Sequence, residues 1–242
     1  MFVVIEGCDR CGKSTQAEML FQRFVRCGLK TKMFSFPNYV SETGKVISDH
    51  LHDRIVLAEK QKSSIASILP RFGNQVSSYD ALVFQCVQTC DKYAVAARIL
   101  KSLREGEIVV CCRWWQSAFV YGLDDGLDPL WLMDVHACMP QAGLNLLLDF
   151  SPDEAARRSS DPGDRMERDL VKQRRLRESY LNMWKNKLDP RGHVGLQHEW
   201  EVIGADGSSE EVHERIVGCV KKYLRVAEWG VPPNLKVSEK LV

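Results

Sequence analysis

No stretch of the 242-residue chain approaches the roughly 20 consecutive apolar residues that a helix needs to cross a bilayer. The short apolar start, Phe2-Val3-Val4-Ile5, is interrupted at Glu6, so it does not read as a secretory leader either. Neither sign of charge dominates: 33 Lys and Arg against 32 Asp and Glu leave a net +1. That balance gives no electrostatic reason to expect a nucleic acid or a membrane surface as partner. Cysteines are numerous, nine in all, but the spacing of a zinc site is missing. Cys8 and Cys11 form a C-x-x-C with no second such pair and no matching His pair. Reduced, mostly buried thiols are the plain reading, and the cytosol is the expected compartment.

What is present is concentrated at the start of the chain. Gly7-Cys8-Asp9-Arg10-Cys11-Gly12-Lys13-Ser14 fits G-x-x-x-x-G-K-[ST] and directly follows the apolar run. Thr15 to Val25 then carries Ala17, Leu20, Phe21 and Phe24 at helical spacing. A buried strand, a glycine turn and a helix in that order make a loop whose N–H groups face phosphate oxygens, with the helix N-terminus adding positive potential. Gly7 and Gly12 permit the curl, with Cys11 and Thr15 flanking them; Lys13 reaches the terminal phosphates, and the Ser14 hydroxyl joins a Mg²⁺ shell.

Strand-like runs alternate with helical patterns along the rest of the chain, which predicts an α/β fold with a parallel sheet and helices on both faces. Strands are predicted at Phe2–Glu6, Thr31–Phe36, Ile108–Cys112, Leu144–Phe150 and Trp200–Ile203. Helices are predicted at Thr15–Cys27, Glu42–His52, Ser78–Glu105, Leu127–Ala137, Pro152–Ser159, Glu167–Leu188 and Ser209–Glu228. One domain is expected over residues 1–225, with an insertion at about 53–77 and a surface tail at 226–242. Ser159 to Asp164, a polar stretch rich in chain breakers, is flanked by Arg157, Arg158 and Arg165, so an arginine-bearing lid is predicted at about 157–167. Arg168, Lys172, Arg174, Arg175 and Arg177 read mainly as a solvated helix face. Arg113, at the carboxyl end of the third strand, lies where open α/β sheets place ligands.

Several stations along the chain together resemble one family. Glu6-Gly7-x-Asp9-Arg10-x-Gly12-Lys13-Ser14-Thr15-Gln16, Phe36-Pro37, Glu42-Thr43-Gly44-Lys45, Arg113 with Ser117 and Tyr121, Arg158, Asp164-Arg165-x-Glu167 with Gln173, and Gly204 to His213 are similar, in this order, to the thymidylate kinases of eukaryotic type. The resemblance implies a nucleoside monophosphate kinase fold and transfer of a phosphoryl group from ATP to dTMP, a step in dTTP synthesis, with Mg²⁺ and in a homodimer. It implies that Asp9 orients the acceptor phosphate, Arg10 and Arg158 meet the transferring group, and Arg113 clamps the monophosphate. It places Phe36, Phe84, Lys92 and Ser117 around the acceptor, Gln173 near its base or sugar, and Tyr121 against the ribose 2′ position. Ala205 and Gly207 fall where that family holds adenine. Plain core packing is the alternative for Phe36, Phe84 and Tyr121.

The chain departs from the family pattern on the acceptor side. Cys112 stands where an acidic residue is expected, Trp114 follows Arg113, Asn38-Tyr39 replaces an arginine after Phe36-Pro37, Lys92 replaces an arginine, and Met166 a lid tyrosine. These departures motivate two alternatives: a catalytically weak homologue that binds nucleotide and works through a partner, and a kinase for another nucleoside monophosphate.

Overall fold

The computed structural model describes residues 1–54, 79–158, 163–186 and 199–224. The predicted insertion, apart from its first two residues, lies outside them, as do the middle of the lid at 159–162 and the tail at 226–242. Five strands form one all-parallel sheet: β1 (Phe2–Gly7), β2 (Thr31–Ser35), β3 (Ile108–Cys112), β4 (Leu144–Asp149) and β5 (Glu199–Gly204), in the order β2-β3-β1-β4-β5. All five were predicted, with ends differing by at most one residue. Strands buried on both faces read as unbroken apolar runs, and β1 and β3 have no residue that is not buried.

Alternate residues of β1 serve two cores. Val3 and Ile5 face α1 (Lys13–Arg26), which contributes Ala17, Leu20 and Phe24, and α9 (Ser209–Tyr223), which contributes Val212, Ile216 and Val220. Phe2 and Val4 face the other layer. It is built from α3 (Tyr79–Arg104), α4 (Trp115–Asp124), α5 (Pro129–His136) and α8 (Leu170–Asn186). The remaining elements are α2 (Glu42–Leu51), α6 (Pro152–Arg158) and the single turn α7 (Arg165–Arg168). The chain winds to one side of β1 through β2 and β3, then to the other through β4 and β5. The crevice at the carboxyl end of β1 is therefore the reversal point of the winding, where such sheets bind ligands.

Two helical readings need correction. The sequence reading omitted α4, because a helix buried around its whole circumference, its polar Gln116 and Ser117 included, shows no amphipathic stripe. Its residues Trp115 to Val120 and Gly122 are all buried. A side chain at Gly122 would meet Leu132 Cδ2 at 2.7 Å, so α4 approaches α5 closely there. The helix predicted from Glu167 is interrupted at Asp169 (ψ 87°). Asp164 caps α7 by accepting from the N–H groups of Met166 and Glu167, and Asp169 accepts from the N–H of Lys172, so two acidic caps split one pattern. The basic residues expected on a solvated face are exposed at Arg168, Arg174 and Arg175, and Lys172 is the exception. Lys172 is buried between Asp124 and Asp125, and Arg174, Arg175 and Arg177 pair with Asp153, Asp124 and Asp149.

Candidate active site

The loop Gly7–Ser14 curls as its glycines allow. Gly7 has φ +143°, and a Cβ there would lie 2.6 Å from the Leu148 carbonyl oxygen. Gly12 is left-handed (φ +88°) and caps α1. Arg10 is also left-handed at φ +61°, a conformation that costs a non-glycine residue free energy. Lys13 is buried and donates to the Cys8 carbonyl oxygen, with Cys11 Sγ 3.7 Å away. Burial pushes the Cys8 thiol up to about 12, so it adds no negative charge beneath the loop. Arg10 Nε donates to Glu167 Oε2 at 3.1 Å, tying the loop to α7.

Asp9 is the hub. Its carboxylate accepts from Arg113 Nη2, from the Tyr121 hydroxyl at 2.6 Å and from Gln173 Nε2 at 2.7 Å, while its own N–H donates to Gln173 Oε1 at 3.0 Å. Burial acts to raise the Asp9 pKa, but Arg113, then Lys13 and the two neutral donors outweigh it, and the carboxyl stays below the usual range. Arg113 has φ +63°, yet its N–H still donates to the Ile5 carbonyl of β1 at 3.0 Å, so the strand pairing carries the guanidinium to the loop. Its Nη1 donates to Ser117 Oγ at 3.2 Å.

Beneath this hub lies Glu6, fully buried. It accepts from Ser117 Oγ at 2.6 Å, the Trp114 N–H at 2.7 Å, the Tyr180 hydroxyl at 3.2 Å and the Ser117 N–H at 3.3 Å. A carboxylate from β1 thus fills the first turn of α4, where backbone N–H groups lack intrahelical partners. Burial outweighs these bonds, and the Glu6 pKa is raised.

Two cavities flank the loop. The larger, about 590 Å³, is lined by Asp9, Arg10, Gly12, Lys13, Ser14 and Thr15 on one side. On the other it meets Phe36, Phe84, Lys92, Arg113, Ser117 and Tyr121. The Phe36 ring packs on Trp114 at 5.2 Å between centroids, and Lys92 Nζ lies 5.6 Å from the Phe36 centroid. Phe84 packs on His50 at 4.5 Å. The smaller cavity, about 100 Å³, brings Arg10, Cys11, Gly12 and Thr15 together with Arg158, Ala205 and Gly207. Arg158 lies over the Phe150 ring at 4.3 Å.

The family model described as "Thymidylate kinase" matches residues 5–216. This chain belongs to the thymidylate kinase family. Among its relatives, a protein of Pyrococcus horikoshii named "Probable thymidylate kinase" is 32% identical, covering 92% of this chain and 97% of its own. The "Thymidylate kinase" of Schizosaccharomyces pombe is 24% identical over 90% of each chain. The solved structure of the Candida albicans thymidylate kinase superposes with a TM-score of 0.67, covering 92% of this chain and 91% of that one at 19% identity, which shows the shared fold.

For a thymidylate kinase chain, the predicted site residues fall into three layers. Most line one cavity or the other. Gly7 lies under the loop against β4, where it sets the curl. Gln173, expected near the base or sugar, lines neither cavity. It is buried and braces Asp9 through both ends of its amide, with Nε2 also donating to the Met166 carbonyl at 2.9 Å. Cys112 Sγ stands 3.7 Å from Ser14 Oγ, so the departure from the acidic pattern is at the loop hydroxyl itself. The sequence reading missed Glu6 as a brace, and Gln85 and Gln88 as lining of the larger cavity. Spacing carried a usable signal for the last two, since both fall on the face of α3 that holds Lys92.

Proposed function

We propose that the protein transfers the γ-phosphoryl group of ATP to dTMP. The observation that supports this most directly is that one loop separates two cavities. Arg158, Ala205 and Gly207 flank it on one side, and two aromatic rings with Lys92 and Arg113 face it on the other. Donor base and acceptor nucleotide can thus be held apart while their phosphates meet over Lys13, Arg10 and Arg113. Such a transfer needs alignment and charge neutralisation rather than a covalent intermediate. Arg113 is a planar fork suited to phosphate oxygens, and Asp9 fixes its direction. Tyr121, bonded to Asp9, lines the same cavity and is assigned to the acceptor sugar in this reading.

Mg²⁺ bound with the ATP phosphates would neutralise charge developing on their oxygens. Of this chain's residues, Ser14 would hold the ion through Oγ, the Asp9 carboxylate of the same loop being engaged by Arg113, Tyr121 and Gln173, and the side-chain neighbour of Ser14 is the soft thiol of Cys112. A hard cation that keeps several waters and takes phosphate oxygens fits a single protein hydroxyl. A homodimer is part of the same proposal, supported by Tyr93 and Leu100, which α3 exposes at i and i+7. No helix among the described residues is long and apolar enough to cross a membrane, and a cytoplasmic site of action rests on the chain's composition.

The test is an acceptor panel. With ATP and Mg²⁺, ADP release is expected with dTMP; release with thymidine and with no monophosphate would overturn the assignment.

A pH dependence follows from Lys92. Burial lowers its pKa to about 8, against the charges of Asp91 and Glu6, which act to raise it. A lysine with a depressed folded-state pKa loses its charge as pH rises through that value, so an anionic acceptor loses a partner above about pH 8. The KM for dTMP is expected to rise between pH 7.5 and 9, on the order of tenfold. Lys92→Arg, which stays charged across that range, should flatten the profile. A KM that climbs equally in both proteins would show that Lys92 is not the group responsible.

A further inference from the structure

The larger cavity holds two glutamines, Gln85 and Gln88, whose amides are fixed in opposite senses. They stand at i and i+3 on α3 and so share a face. Gln88 Oε1 accepts from Lys92 Nζ at 3.2 Å, and Lys92 also donates to the Gln88 carbonyl at 3.2 Å. An ammonium can only donate, so this contact settles which end of the Gln88 amide is oxygen. Gln88 Nε2 is left without an acceptor among the described residues. Gln85 is the reverse. Its Nε2 donates to the Ala118 carbonyl at 2.5 Å, and a carbonyl can only accept, so Oε1 is left without a donor among the described residues. Gln85 is 2% exposed, and the α4 backbone holds its amide in place.

One donor and one acceptor are therefore presented side by side to whatever occupies the cavity. A base whose edge carries a C=O next to a ring N–H satisfies both: the carbonyl accepts from Gln88 and the N–H donates to Gln85. Thymine and uracil present that edge. Cytosine presents its inverse, an amino group beside an unprotonated ring nitrogen, which sets donor against donor and acceptor against acceptor. We propose that Gln85 and Gln88 read the lactam edge of the acceptor base and reject the cytosine edge, with Lys92 positioning Gln88. The inference rests on the acceptor being a pyrimidine monophosphate, as proposed above, and adds which groups select its base. The energetic logic is that of mismatch, since a polar site built for one pattern leaves buried groups unpaired with the other.

The test is calorimetric binding of dTMP and dCMP to the native protein and to Gln88→Glu. The substitution keeps an oxygen for Lys92 and removes the N–H donor. The native protein is expected to bind dTMP at least about a hundredfold more tightly than dCMP. In Gln88→Glu, dTMP should weaken by about tenfold to a hundredfold while dCMP is unchanged or tighter, so that the preference narrows or inverts. Affinity for ADP and the melting temperature, measured on the same samples, show that the fold and the phosphate loop are intact. Equal binding of dTMP and dCMP by the native protein would overturn the base-edge assignment alone, leaving the kinase reading in place. An unchanged preference in Gln88→Glu, with ADP affinity intact, would do the same. Binding of neither monophosphate would remove the kinase reading as well.

Discussion

Arg113→Ala is expected to lower kcat with dTMP about a thousandfold, with a smaller rise in KM. The size follows from losing a preorganised cation at a transferring phosphoryl group, where single donors are worth roughly a hundredfold to a thousandfold and arginines more. Here the loss has two parts. The guanidinium itself goes, and the Asp9 carboxylate, buried with a side chain only 12% exposed, loses its ion partner. Arg113→Lys should recover part of the rate, because charge returns without the fork that spans Asp9 and Ser117. Steady-state kinetics on the two variants, with ADP binding as a control for the loop, checks this. A kcat for Arg113→Ala within tenfold of native would remove Arg113 from the reaction.

The largest effect on stability is expected at Glu6. Glu6→Ala strips the acceptor from the Trp114 N–H, the Ser117 hydroxyl and the Tyr180 hydroxyl, all three residues being buried. Unsatisfied buried groups cost about 1–3 kcal/mol each, so a loss on the order of 3–5 kcal/mol is expected, with relaxation and the surviving Ser117–Tyr180 contact limiting the sum. For a chain of this size that is a fall in melting temperature on the order of 10 °C. Glu6→Gln keeps one acceptor oxygen in place and should cost markedly less. Thermal unfolding of the two variants decides the matter, and equal melting temperatures for Glu6→Ala and the native protein would show that the carboxylate does not hold α4.

The sheet was legible because its central strands are apolar on both faces and lie between chain breakers, which leaves little choice of ends. The phosphate loop was legible because its glycines and Lys13 sit between such a strand and an amphipathic helix. Legibility failed where side chains act against the usual grain of their type. Trp115 to Gly122 shows no stripe, since burial on nearly every side, of Gln116 and Ser117 as well as the apolar residues, erases the periodicity by which helices are read. Gln85 and Gln88 resembled the polar face of an ordinary helix; only the contacts from Ala118 and Lys92 show that their amides are oriented. The resemblance implies a place near the base or sugar for Gln173; its bonds to both the N–H and the carboxylate of Asp9 carry no signal in the sequence. Glu6 was noticed for where it stands in the loop motif, and its hold on α4 depends on residues 108 to 174 positions away.

The partners of Asp9 arrive from widely spaced parts of the chain: Arg113 and Tyr121 lie 104 and 112 residues downstream, and Gln173 lies 164. In a polypeptide emerging from the ribosome, the loop at residues 7–14 therefore precedes all three. Its central carboxylate gains the last of these partners only once residue 173 has been made. The hub around Asp9 is thus closed only after the segments that carry Arg113, Tyr121 and Gln173 have all been added to the loop.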